Sequence, residues 1–442
     1  MPHVLIVSPS AYTYGGLATW LDYLDPGLRE RGWDVTIGLV EGPRHHRPAD
    51  YAREHAHPQW VAIRCITGTP QGRCRAMIEA IRAVQPDLVL SVNMPDAYAA
   101  VAGMRAARLS APKAVMALHG IQPDLYDDLR AYGGVLDGVI CTNRLACRLA
   151  EELGETARER IHYAAYGVAP GPPRLASSPD GELALAYVGR LEDGQKRVAE
   201  LPAIARQLDS RRLPWSLSIV GDGPDGDKLR EGLAAYAAQG RVQFVGRMSA
   251  ELVRRQVYPR VDAVLVTSSW EAGPIVIWEA MASGAAVISS RYVGSGLEGA
   301  LCHDHNALLF PVGDTDEAAR QIARLWQDGA LRARLLENGY RLVAERYSIA
   351  ASVAAWDAGL REVLAAAPLP SAAEPPLPAV ASRLDRWLGR RYGESVRGWL
   401  RFRCAAADPG GEWPHAYGKT PPGDAAFWKM AEELDRAGSA GA

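Results

Sequence analysis

The stretch AVLVTSSWEAGPIVIWEAMASG, residues 263–284, sets an apolar run, a polar turn, a Gly-Pro step and a second apolar run in succession. The first run has the uncharged, Val-rich character of a parallel strand buried on both faces. Gly273-Pro274 reads as the start of a helix, with Pro274 at its first position, where a missing N–H costs nothing. Strand, turn and helix in that order are the repeat of a doubly wound sheet, whose ligands sit beyond the C-terminal ends of the strands. Glu271 then lies in the loop at that end, and Glu279 about a turn and a half into the helix. The N–H groups near Gly273 and Ile275 point at any anion placed there. Carboxylates suit hydroxyls rather than phosphate, because each accepts two hydrogen bonds from a vicinal diol. Phosphate on the helix end and diols on the acids together describe a sugar nucleotide. An acid beside a helix N-terminus is also a favourable dipole partner, which explains one of the two glutamates but less readily both.

The same pattern extends outward in both directions. Runs of the same kind stand at 3–10, 34–40, 61–66, 87–93, 113–120, 138–143 and 161–168, with Ala- and Arg-rich amphipathic stretches such as 74–87 between them. After PGPPRLASSPDGE at 170–182 a second series follows at 183–190, 215–222, 242–247, 263–269, 285–291 and 307–313. Each series builds one α/β domain. The expected organisation is an N-terminal Rossmann-like domain over 1–169, on the acceptor side, joined by a crossover helix over 349–366. A linker over 170–182 and a C-terminal Rossmann-like domain over 183–348, on the donor side, complete the core. PLPSAAEPPLP belongs to a Pro-rich linker over 368–378 that reads as extended, and 379–442 is an extension of unassigned role.

Bulk properties narrow the function. A chain of 442 residues corresponds to two or three domains at roughly 150 residues each. Its 49 basic and 51 acidic side chains leave a net charge of −2, against a nucleic-acid binder. Cys65, Cys74, Cys141, Cys147, Cys302 and Cys404 form no CxxC pair, which suits a reducing compartment. Cys302-His303-Asp304-His305 is the one dense ligand-type group and reads as a loop. MPHVLIVSPS has no basic leader and reads as a first strand rather than a signal peptide, and no apolar run reaches the ~18 residues of a membrane span. The expectation is a cytoplasmic protein, with a peripheral position at the inner membrane face as the variant that the tail raises.

Other strand ends carry motifs that are weak singly. SPSAYTYGG places Gly15 and Gly16 at the opening of a helix, for close ligand approach or simply for a tight turn. Gly221, Gly223 and Gly226 satisfy G-x-G-x-x-G, but no acid ends the following strand and Asp225 and Asp227 oppose phosphate, so a dinucleotide reading is disfavoured. In VGRLEDGQKR, Arg190 and Lys196 are two cations just past a strand, able to neutralise a diphosphate leaving group or merely solvated.

Taken in order, these residues resemble the retaining glycosyltransferases of family GT4, over roughly 3–365. EAGPIVIWE is similar to the family's E-x7-E element followed by E-A-M-A-x-G; VGRLEDGQK, VGDGP, the N-terminal glycine loop and LHG at 118–120 are similar to its other motifs. The resemblance implies a GT-B fold, an α/β architecture of two facing Rossmann-like, doubly wound parallel-sheet domains, here with a C-terminal extension. It implies that Glu279 holds the ribose hydroxyls and Glu271 the donor sugar. Arg190 and Lys196 would stabilise the diphosphate, and the backbone of Gly273, Pro274, Ile275 and Val276 would cap it. Gly15, Gly16 and Gly189 would approach the donor, His119 would sit near its sugar, and Gly246, Arg247 and Met248 would lie against the base. Tyr12, Asn93 and Asp96 are the acceptor-side candidates. Ala272 stands where the family has Gly, and Glu298 where an acid is often found.

The implied reaction moves a sugar from a nucleoside diphosphate, UDP first and GDP next, to an acceptor hydroxyl or amine. It proceeds with retention, without a metal site and without a cofactor beyond the donor. The acceptor class stays open among glycan, lipid-linked and natural-product scaffolds, and nucleic acid is not expected as a partner. A sugar-nucleotide epimerase or hydrolase of the same fold and a non-catalytic nucleotide-sugar-binding subunit are the alternatives. In the tail, 383–403 carries seven Arg against two acids with Trp387, Trp399 and Phe402 among them. It reads either as a membrane or partner contact or as a segment packed back on the body with its arginines solvated or paired.

Overall fold

The structure is a computed structural model and describes residues 1–9, 16–41, 47–92, 94–154, 156–171, 181–367, 369, 383–404 and 425–439. Most of the 170–182 stretch, and all of the 368–378 linker but residue 369, lie outside those residues.

Each apolar run of the sequence forms a strand. The first series gives β1 His3–Pro9, β2 Asp34–Glu41, β3 Trp60–Arg64, β4 Leu88–Val92, β5 Lys113–Leu118, β6 Gly138–Cys141 and β7 Ile161–Tyr163. The second gives β8 Leu183–Val188, β9 Trp215–Val220, β10 Val242–Gly246, β11 Ala263–Val266, β12 Ala286–Ser290 and β13 Leu308–Phe310. They assemble into a seven-stranded sheet, β3-β2-β1-β4-β5-β6-β7, and a six-stranded sheet, β10-β9-β8-β11-β12-β13. Every pairing is parallel. Central strands such as β4 and β11 are buried along their whole length, which is why they read as nearly continuous apolar runs without charges.

The chain divides into two compact units, residues 1–164 with 353–428, and residues 165–352 with 429–442. In the first, the helix Ile349–Ala365 contributes Val353, Trp356, Leu360 and Val363, an i, i+3, i+7, i+10 seam that is fully buried. Trp356 packs on Trp20 with ring centroids 5.0 Å apart. Gly27 is required beneath that seam, since a Cβ there would come within 2.6 Å of Val353. Lys113 at the start of β5 donates to the carbonyls of Val363 (2.8 Å) and Leu364 (3.0 Å), a cation on the negative end of the helix. Near the end of the same unit, Phe427 packs on Tyr126, with ring centroids 5.3 Å apart.

In the second unit a core of leucines, isoleucines and alanines from β8, β9, β11, β12 and β13, with Tyr187, Trp215 and Phe310 on the same strands, is closed by the flanking helices. Residues 429–442 join it through Asp435, whose carboxylate accepts from the backbone N–H groups of Gly294 (2.9 Å), Gly296 (3.1 Å) and Leu297 (2.7 Å). The strand order reverses between β8 and β11 in this sheet, and between β1 and β4 in the other. Those two switch points are where a doubly wound sheet opens a crevice for ligand.

Among the described residues no helix is long and apolar enough to cross a membrane.

Candidate functional site

The switch point of the second sheet gathers the loops that follow β8 and β11. Near the end of β8, the buried Tyr187 donates its hydroxyl to the Arg190 carbonyl at 2.9 Å and fixes the path of the following loop. A short helix, Asp193–Lys196, follows, capped by the Glu192 side chain and closed by Arg197 in the left-handed region (φ 51). The β11 loop is stitched to it. Thr267 Oγ1 donates to the Lys196 carbonyl (2.6 Å), and the Ser269 N–H donates to the Gln195 carbonyl (2.8 Å).

That stitching brings Lys196 and Glu271 together. Lys196 Nζ lies 2.5 Å from Glu271 Oε1, which also accepts from Ser268 Oγ at 2.6 Å, while Oε2 faces Gln195 Nε2 at 3.3 Å. Glu271 is 6% exposed. A buried carboxylate next to a helix end that should attract anions is tolerable because the ammonium neutralises it. Ser268 and Gln195 had no distinguishing signal in the sequence; Ser268 stands three residues before the acid and becomes its partner only through the loop's curvature.

The helix after the loop runs Ile275–Ala282. It starts one residue later than the Gly-Pro step suggests. Pro274 has φ −72 and ψ 96, an extended residue before the helix rather than its first member. Gly273 at φ 122 makes the turn into it, a conformation that side chains disfavour. The Ile277 N–H donates to the Pro274 carbonyl at 3.0 Å, while the N–H groups of Ile275 and Val276 have no acceptor within the helix. They open at the same loop that holds Glu271.

Glu279 sits four residues into that helix, part-buried, and accepts from the Tyr258 hydroxyl at 2.9 Å. Burial pushes its carboxyl up to about 7, against the opposing pull of Tyr258 and Arg254. Tyr258 lies 21 positions upstream on another element and is invisible to motif reading.

Arg190 is placed differently from Lys196. Its side chain is 60% exposed, and it donates to Glu192 at 2.7 Å and to Gln195 at 3.4 Å. Gly246 takes φ 82 at the end of β10 and accepts from the Gly221 N–H at 2.8 Å; Arg247 is exposed and Met248 half-buried. The glycines of VGDGP are used for packing. A Cβ at Gly221 would strike the Gly189 carbonyl, and one at Gly223 the Leu191 backbone, so the β8 and β9 loops lie backbone to backbone. That geometry explains G-x-G-x-x-G without a dinucleotide.

In the first unit, Gly16 opens the helix Gly16–Glu30 and is exposed; Tyr12, Gly15 and Asn93 lie outside the described residues. His119 follows β5, with its ring 4.6 Å from Trp20 and stacked on Trp356 at 5.9 Å. Burial pushes its pKa down to about 3, so the imidazole is neutral at pH 7. Asp96 is buried against Arg73, whose Nε lies 3.1 Å away. Glu298, in the second unit, accepts from the Tyr347 hydroxyl at 2.6 Å and pairs with Arg346 at 3.3 Å. The Cys302–His305 stretch is a turn in which His303 Nδ1 accepts the Leu309 N–H at 3.0 Å. Among the described residues no group of three or more His, Cys, Asp and Glu is placed to hold a metal.

Residues 176–342, which contain every second-unit loop described above, match the family of glycosyl transferases group 1. Over 138 residues the chain is 32% identical to the lipopolysaccharide core biosynthesis glycosyltransferase LpsE of Rhizobium meliloti, covering 31% of this chain and 39% of that one. Over 161 residues it is 33% identical to the lipopolysaccharide 1,6-galactosyltransferase of Salmonella typhimurium, covering 36% and 42%. It is also 29% identical to the alpha-D-kanosaminyltransferase of Streptomyces kanamyceticus, over 38% of this chain and 42% of that one. The chain thus spans about two fifths of the length of these curated relatives. Among solved structures, Anabaena HepE in complex with UDP and glucose aligns with a TM-score of 0.66 at 18% identity, covering 82% of this chain and 100% of that one. Sucrose-phosphate synthase from Thermosynechococcus elongatus aligns at 0.66 and 19%, covering 83% and 100%. The two Rossmann-like units therefore have the GT-B fold, and the group 1 glycosyltransferase match covers residues 176–342.

Proposed function

Starting from the group 1 match over the second unit, we propose that this chain transfers a sugar from a nucleoside diphosphate, UDP first and GDP next, to an acceptor hydroxyl or amine with retention of configuration. The observation that carries the reading is the pairing of Lys196 with Glu271 at the loop that opens the helix Ile275–Ala282, with Glu279 on that same helix. One carboxylate is neutralised by a cation that also serves a diphosphate. The other is a part-buried acceptor suited to the ribose diol. The Salmonella relative's name states a galactosyl transfer and the HepE structure holds UDP with glucose, and both support a hexosyl donor.

In the proposed reaction the bond from the anomeric carbon to the β-phosphate oxygen breaks, and its electron pair leaves with the diphosphate. Lys196, Arg190 and the helix-end N–H groups of Ile275 and Val276 stabilise that charge as it develops. Gly273 and Pro274 let the phosphate approach the backbone. Glu271 orients the sugar hydroxyls, and Gly189 lies against the donor. Gly246, Arg247 and Met248 face the base. The acceptor oxygen or nitrogen bonds to the same face of the anomeric carbon and gives its proton to the departing phosphate oxygen. No metal or cofactor beyond the donor enters the scheme; a trapped glycosyl–enzyme adduct would overturn it.

A thermal-shift panel of UDP, GDP, ADP, dTDP and NAD, on the wild type and on Glu279→Ala, tests the reading. Ligand bound only by the folded state raises its melting temperature. A rise with one nucleoside diphosphate, lost in the variant, is the expected result and names the base; a rise with NAD alone, or with none, overturns the reading.

A further inference from the structure

The segment 383–403 is sorted by face in a way its composition does not reveal. Its helix, Arg383–Leu400, breaks at Gly389 (φ 73, ψ 158). Glu394, 1% exposed, accepts from Thr67 Oγ1 and Thr69 Oγ1, both at 2.6 Å, and pairs with Arg397 at 3.3 Å. Arg397 is itself buried and pairs with Asp385 at 2.5 Å. On a straight helix Asp385 and Arg397 would stand ~18 Å apart; the turn at Gly389 folds one piece back on the other. Gly393 makes room, since a Cβ there would lie 2.5 Å from Asp385 Oδ1. The end is tied down by the Cys404 N–H, which donates to the Thr67 carbonyl at 2.8 Å. Both acids of the segment are therefore consumed inside, together with one arginine.

The opposite face is of another kind. Tyr392, Ser395 and Trp399, at helical spacing, are all exposed. Trp387 is 88% exposed, Trp399 83% and Phe402 62%, with Leu388 and Leu400 beside them. Arg383, Arg386, Arg401 and Arg403 are exposed as well. Among the described residues of this segment, no exposed one is acidic.

We propose that this face docks on an anionic lipid bilayer. Tryptophan and tyrosine partition to the headgroup level, where an apolar ring and a polar edge are both accommodated, and arginine pairs with lipid phosphate. Each cation near an anionic leaflet strengthens the attachment by roughly fivefold. A second copy of the same face is a poor occupant, because a two-fold contact would set arginine against arginine with no exposed acid to answer them. The polar inner face, locked onto Thr67 and Thr69, keeps the aromatic face outward.

The test is co-sedimentation of the full chain with phosphatidylcholine vesicles and with vesicles that also contain phosphatidylglycerol. Sedimentation with the second set alone, weakened by salt, is expected. The double variant Trp387→Ser/Trp399→Ser and the double variant Arg386→Glu/Arg401→Glu should each weaken it about tenfold or more. All these residues are exposed, so melting temperature and the nucleotide shift should not change. That readout needs no donor and separates this proposal from the transfer reaction. No sedimentation, equal sedimentation with both vesicle sets, or variants that bind like the wild type would overturn it. So would a vesicle-free dimer that the tryptophan variant returns to monomer.

Discussion

Lys196 and Glu271 come from loops 75 positions apart, and neither is comfortable alone. Replacing Lys196 with Met leaves a buried carboxylate with only neutral donors, and the folded state should lose roughly 2–4 kcal/mol in urea denaturation. Adding Glu271→Gln should recover part of that loss; strictly additive losses would show that the two do not act as a pair. Glu279 differs, because its carboxyl is raised to about 7 by burial. A raised acid favours the protonated folded state, so its stabilisation is complete below the ordinary carboxyl range and is lost as pH rises through about 7. Relative to wild type, Glu279→Gln should therefore gain roughly 1–3 kcal/mol of stability between pH 5 and 8, and an unchanged difference would remove the titration from Glu279. Both acids were legible in the sequence because spacing fixes them on one strand–turn–helix unit. Their partners Ser268, Gln195 and Tyr258 were not, because each reaches its acid only through tertiary folding.

Strands were the most legible elements, since parallel strands buried on both faces leave few polar residues and short, bounded runs. Glycines were less legible: Gly221 and Gly223 look like a phosphate cradle until the Gly189 and Leu191 backbones are seen against them. The loop after β12 held no signal at all for its far partner. There the Asp435 carboxylate gathers three N–H groups, of Gly294, Gly296 and Leu297. The adjoining Val293 exchanges hydrogen bonds with Ser269 and Glu271, both at 3.0 Å, so the loop braces the one that carries Glu271. Asp435→Ala leaves three buried or part-buried donors without that acceptor, and a loss of about 1–3 kcal/mol is expected. Hydrogen exchange should locate it, with protection falling at 294–297; exchange there like that of the wild type would detach the bracing role from Asp435.

For the molecule as a whole, periodicity gave two α/β series and the structure gives two parallel sheets. What composition could not assign was the tail, because its contacts are long-range: Glu394 answers Thr67 and Thr69, and Asp435 answers the β12 loop. Each compact unit is consequently discontinuous in sequence, with 353–428 completing the first and 429–442 the second. A ribosome delivers the chain in one direction, and domains tend to fold as they emerge. Here the opening 164 residues must wait through the synthesis of about 190 more before Trp356 reaches its place beside Trp20. During that interval Trp20 and the walls around it are apolar surface without a cover, the condition under which nascent chains recruit chaperones or aggregate.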